Sequence, residues 1–203
     1  NIFYTQSGES SSRYLVGRWP EQFGANADAF FETRVLKYVE RNLQSYQLSG
    51  EHYFENLLNM KLDWKASLSK NSQDEPDTRY FSNHYANRTF QGRDTTIYSI
   101  TPSNYSQPAR YFRNLEEDGS NLEMNIAFPF EQQWNGITSK LKFGGFYSKK
   151  DRSFEEVRFQ YNRGPSLRYG GNDQEFFSEE NSGIIGYDNN GNPIWGNYIE
   201  LAP

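Results

Sequence analysis

The chain has 203 residues, room for one domain or a large piece of one, and a net charge of −5 from 21 Lys and Arg against 26 Asp and Glu. It carries no basic stripe, which argues against nucleic acid, and no cysteine, which excludes disulfide frameworks, thiolate zinc sites and cysteine nucleophiles. Apolar residues reach only 35% while aromatics reach 17%, a balance that suits a sheet with one apolar face and one wet face.

From the first residue to about Ala25 the chain is rich in Gly, Ser, Asn and aromatics, and 1–32 reads as a loop. Residues 28–39 have the composition of a short helix or of a strand, and they are assigned to the outer part of the first long strand. The period-2 pattern becomes explicit after that. Tyr46, Leu48, Gly50, His52 and Phe54 alternate with Gln47, Ser49 and Glu51. Beyond a turn at 55–59, Met60, Leu62, Trp64, Ala66 and Leu68 alternate with Lys61, Asp63, Lys65 and Ser67. This predicts a hairpin within 33–81, with strands over about 33–54 and 60–80. Pro76 lacks an amide donor, so the ladder is expected to weaken or bulge there.

Residues 82–119 read as a long polar loop carrying Tyr85, Phe90, Tyr98, Tyr105, Tyr111 and Phe112. A second hairpin follows within 120–162. Leu122, Met124, Ile126, Phe128 and Phe130 alternate with Asn121, Glu123, Asn125 and Ala127. Trp134, Asn135 and Gly136 supply its turn. Leu141, Phe143, Gly145 and Tyr147 then alternate with Lys140, Lys142 and Gly144, while Phe146 interrupts the polar face. The remainder, 163–203, reads as a loop with a small turn at Asn190-Gly191.

Short turns at one end and long loops at the other are the layout of an outer-membrane β-barrel. No apolar run approaches the roughly 18 residues of a membrane helix, but barrel strands alternate and escape that test. Lys61, Lys65, Lys140 and Lys142 would each cost roughly 2–4 kcal/mol facing lipid near the midplane. They are therefore expected to face a wet lumen, leaving the apolar face to lipid. The predicted fold class is all-β: an antiparallel meander of long strands, part of a transmembrane β-barrel with long extracellular loops. The competing reading is a soluble antiparallel sheet packed on one face. It would need a second layer over Leu48, Phe54, Leu62, Trp64, Ile126, Phe128 and Phe143.

The run from Tyr38 to His52 (YVERNLQSYQLSGEH), then Leu62-Asp63-Trp64, then Ser72 to Asp77 (SQDEPD), resembles the barrel of TonB-dependent outer-membrane receptors of Bacteroidota-like bacteria. The strand Lys142 to Ser148 (KFGGFYS) is similar to a barrel strand of that family. The resemblance covers roughly 33–162 and implies a many-stranded barrel around a plug domain. It implies import of a scarce ligand, such as a siderophore, cobalamin, glycan or peptide, across the bacterial outer membrane. The implied partners are the remainder of the barrel and its plug, the TonB complex acting through that plug, the lipid bilayer and a small-molecule or glycan ligand. No plug or energy-coupling segment is recognisable here, and both termini read as cuts through a longer polypeptide. The alternative function is a soluble all-β extracellular binding module, an adhesin or carbohydrate binder.

Catalysis finds no footing: no nucleophile elbow, phosphate loop or His-Glu-x-x-His occurs. No enzyme activity, cofactor or metal is expected. Asp74, Glu75 and Asp77 have the oxygen chemistry of a cation site or, more simply, of a solvated strand end. The stretch from Asp188 to Asn192 fails the calcium-loop pattern and reads as a turn. His52 and His84 lie on different elements and lack partners at ligand spacing. The aromatic, Asn-rich loops offer stacking faces and directional hydrogen bonds suited to a ligand, although packing among themselves accounts for most of these rings. No individual binding residue stands out.

Overall fold

The computed structural model describes residues 1–18, 20, 28–100, 108–134 and 136–202. The chain is all-β, a meander of long antiparallel strands. The strands are β1 (Ile2–Gly17), β2 (Ala29–Phe54), β3 (Met60–Phe90), β4 (Arg93–Ile100), β5 (Ala109–Glu131), β6 (Thr138–Arg163), β7 (Ile184–Tyr187), β8 (Pro193–Trp195) and β9 (Asn197–Leu201). One sheet runs β1-β2-β3-β5-β6-β9, with β4 paired to β3, and β7 and β8 form a separate ribbon. A one-turn helix α1 (Asp173–Phe176) and a 3-10 turn (Glu179–Asn181) lie between β6 and β7.

The two hairpins stand where alternation puts them. Their strands are longer than the sequence pattern indicates, because ladder pairing continues where the alternation of apolar side chains stops. The clearest difference is β1, which falls within the stretch read as loop. Every residue of β1 is exposed. Its Ser, Gly and Glu bury nothing, so no apolar period announces it. It is held by its neighbour: the first amino group donates to the Gln47 carbonyl, and the Gln47 amide donates back to Asn1, each at 2.8 Å.

The region 82–119 differs in the same way. β3 continues to Phe90, turns at Gln91-Gly92 and returns as β4, with Phe90 opposite Arg93 and Asn83 opposite Ile100. Gln91 and Gly92 have φ of 50° and 75°, the left-handed pair that a two-residue hairpin turn requires. Gln is an uncommon residue there, which hid the turn. β5 begins at Ala109, and Tyr105 lies outside the described residues. In 163–203, the Asn190-Gly191 turn stands between β7 and β8. The Asp188 carboxylate accepts the amides of Asn190 and Asn192, both at 2.8 Å. Asn135, at the second hairpin turn, lies outside the described residues.

Pro76 does interrupt the register. Glu75 pairs with Arg113 of β5, whereas Asp77 pairs with Arg110. Arg113 and Arg110 point to opposite faces of a regular strand. Glu75 and Asp77 therefore also face opposite ways, although two residues apart they should face alike. Thr78 donates to Glu75 across three residues, as a one-residue bulge allows.

The residues divide into two compact units. One comprises Asn1–Gly8, Glu40–Asp74 and Asn114–Glu155, the other Glu9–Val39, Glu75–Arg113 and Glu156–Pro203. The first is a bare sheet. The second contains the core cluster Phe81, Tyr169 and Phe176, against which Tyr98, Ile100, Leu167 and Phe177 pack.

Candidate functional site

The first unit presents two contrasting faces. Asn121 of β5 donates to Ser67 of β3 at 3.2 Å and accepts from Ser148 of β6 at 2.7 Å, so these rows lie level. At this level one face of the sheet changes character. On one side of it stand the apolar stretches 46–54, 60–68, 122–130 and 141–147, nine residues in three strands and seven in the fourth. A membrane-spanning strand needs roughly 9–11 residues. On the other side the same face turns polar, with Lys70, Ser72, Ser120, Asp118, Lys149 and Asp151. The apolar side chains are uncovered: Leu48 is 66% exposed, Leu68 60% and Phe143 57%.

Gly50 sits within this belt, and the Trp64 indole lies over it. A Cβ at Gly50 would meet Trp64 ring atoms at 2.6–2.9 Å. The same indole donates to His52 Nε2 at 3.1 Å, so His52 serves packing and orientation. The opposite face holds a hollow of about 390 Å³ lined by Ser49, Glu51, Asp63, Lys65, Glu123 and Asn125. Of the charged residues that the sequence assigns to a wet face, Asp63 and Lys65 thus share one surface with Glu51 and Glu123. Further along, Glu117 accepts from Arg152 and from Asn71.

The second unit builds a different kind of site. The segment after β6 folds onto the sheet, and its aromatic rings supply the contact. Phe81 meets Tyr169, Phe176 and Phe177 with ring centroids 5.0–6.2 Å apart, mostly edge to face. Asn172 caps α1 by accepting the amides of Gln174 and Glu175. That cap aims Asp173 at Arg34, whose Nε lies 2.9 Å from the carboxylate.

Arg34 is the hub of a polar chain. Its Nη1 donates to Asn83 at 2.7 Å, and its Nη2 lies 3.3 Å from Glu32. Its guanidinium also sits over the Tyr14 ring, 5.3 Å from the centroid. Glu32 accepts from Tyr14 at 2.6 Å and from Asn83 at 2.9 Å. Burial pushes the Glu32 carboxyl up, but the hydrogen bonds from Tyr14 and Asn83 and the charge of Arg34 outweigh it, and its pKa lies below the ordinary carboxylate value. Burial, together with donation to Asp173, drives the Tyr169 hydroxyl above the usual tyrosine range.

Glu75 and Asp77, weighed from sequence as cation ligands, are bound to cations of the chain itself. Lys37 Nζ lies 3.0 Å from Glu75, with Arg113 on its other oxygen. Arg110 grips both oxygens of Asp77 at 2.8 and 2.7 Å, and Arg79 adds a contact at 2.6 Å. Burial opposes ionisation of both carboxyls, but these cations prevail and lower both pKa values.

A cleft of about 640 Å³ opens beside the Arg34 hub, with walls from β1, β2, β3 and β6 and from the segment carrying Asp173 and Phe177. Sequence reasoning missed it, because its walls come from five separate stretches and one of them is the unannounced β1. Of the aromatics singled out in 82–119, Tyr85 stacks on Phe30, Tyr98 meets Tyr169, Tyr111 meets Tyr80 and Phe112 meets Phe159. Phe90 is 70% exposed. His84 is half-buried, and burial lowers its pKa. No protein-family model matches this chain, and no curated protein matches its sequence.

Proposed function

We propose that this chain is a segment of a TonB-dependent outer-membrane transporter that brings a scarce ligand, such as a siderophore, cobalamin, glycan or peptide, across the outer membrane. The observation that carries the reading is the uncovered apolar belt of the first unit. It is level across four strands, close to one membrane-strand length tall, and backed by a charged face. Lipid is the solvent that suits such a belt, because an exposed apolar patch of this extent is costly in water. The charged face would then line the lumen or meet a plug domain. The resemblance of 33–162 to barrels of that family supplies the transport component. The open sheet, in which β9 pairs with only the Phe159–Arg163 end of β6, suits a segment completed by further strands.

A second reading has its own support. The aromatic core of the second unit is the kind of packing found in a water-soluble binding module. The two readings separate on Trp64. In a variant with Trp19, Trp134 and Trp195 replaced by Phe, vesicles containing acyl-chain-brominated lipid should quench Trp64 strongly. Emission unchanged by brominated lipid would remove the transporter reading and leave the soluble module.

A further inference from the structure

We propose that the cleft of the second unit binds a small anion with a ring-bearing apolar body. This stands apart from the question of transport, since it rests on the cleft alone. The charge of the walls is the first argument. Arg34 and Arg79 line the cleft against a single lining carboxylate, Asp173, in a chain whose overall charge is −5.

Arg34 is spent on the fold through Asp173, Asn83 and Glu32. Arg79 is not. It shares Asp77 with Arg110, and Arg110 already takes both carboxylate oxygens. One negative charge thus faces two guanidiniums, and the Arg79 side chain remains 54% exposed. Arg13 sits beside Tyr14 on β1, and because Tyr14 reaches Glu32 and Arg34 on the cleft side, strand alternation turns the Arg13 side chain to the other face. The Arg79 guanidinium therefore is the one that retains donors for an incoming oxyanion.

The second argument is the rest of the wall. Tyr14, Phe81, Tyr161 and Phe177 supply ring faces and edges, and Leu36 adds an aliphatic surface. A bare inorganic ion would leave these unused. The volume, about 640 Å³, falls in the range of small-molecule sites, roughly 300–1,000 Å³. A flat apolar ring bearing one carboxylate satisfies both parts.

The test uses the full chain in non-ionic detergent, titrated calorimetrically with naphthalene-2-carboxylate and with its uncharged counterpart naphthalene-2-carboxamide, each corrected for uptake by protein-free micelles. The carboxylate is expected to bind at least tenfold more tightly, and added salt should shrink that margin. The variant Arg79→Gln, whose change is at an exposed side chain, should keep the parent's circular dichroism and bind both compounds alike. Equal affinity of the two compounds for the parent, no binding of either, or an unchanged preference in the variant would each overturn the proposal.

Discussion

Phe143 offers the sharpest perturbation of the apolar belt. The bonds Ser148–Asn121 and Gln132–Ser139 bracket it and set it level with Ile126, the middle of 122–130. If this face meets lipid, Phe143→Arg places a charge near the bilayer midplane and costs about 2–4 kcal/mol. That corresponds to a drop of about 30-fold to 1,000-fold in the folding equilibrium. Tyr147→Arg, on the same face beside the polar boundary, should cost only about 0–1 kcal/mol. If the face meets water, Phe143 is a surface residue already 57% exposed, and either substitution should fall within about 0.5 kcal/mol. The assay is denaturant unfolding from phospholipid vesicles, with Lys142→Leu on the opposite face as the control. A Phe143→Arg cost below about 0.5 kcal/mol, or equal costs at the two depths, would refute the reasoning.

Other expectations concern the second unit. Arg34→Met should cost roughly 2–3 kcal/mol in chemical unfolding, since it leaves the buried Glu32 carboxylate without its cation. Phe176→Ala removes a ring that is only 4% exposed, and should cost about 3–5 kcal/mol and collapse the near-ultraviolet tyrosine signal. Glu32, Glu75 and Asp77 titrate lower in the fold than in the unfolded chain. Their stabilisation is complete above the unfolded carboxylate range, near pH 4, and is lost as pH falls through the lower folded values. Acid titration of stability should show that loss, and Glu75→Gln should reduce it. Tyr169 is shifted the other way, so its contribution holds below about pH 10 and fades as pH rises further. Tyr14 and Tyr161 are raised as well, so absorbance near 295 nm should show tyrosines resisting ionisation, and Tyr169→Phe should remove the most resistant of them.

What the sequence revealed follows from where apolar side chains alternate with polar or small ones. Leu48, Leu62, Ile126 and Phe143 alternate with charged or polar neighbours, so the hairpins were legible residue by residue. Pro76 announced its bulge because a missing amide donor has a local consequence. β1 left no such trace: its Ser and Glu side chains are exposed, and main-chain pairing with β2 and a few polar contacts such as Tyr14 to Glu32 hold it. The Gln91-Gly92 turn was hidden because Gln rarely takes a positive φ. The Arg34 hub was illegible for another reason. Tyr14, Glu32, Asn83 and Asp173 are separated by up to 159 positions in sequence, and only sheet order brings them to one guanidinium. The aromatics of 82–119 were visible as a composition, but their partners on β2, β3, β6 and the 164–177 segment were not.

The central claim, that the belt of the first unit is built for lipid, is tested most directly by folding the 203-residue chain with and without detergent and following far-ultraviolet circular dichroism through a thermal melt. The account predicts aggregation in plain buffer, and β-structure with a cooperative melt only in detergent or vesicles that also hold the remainder of the barrel. A monomer that melts cooperatively in buffer alone would contradict it.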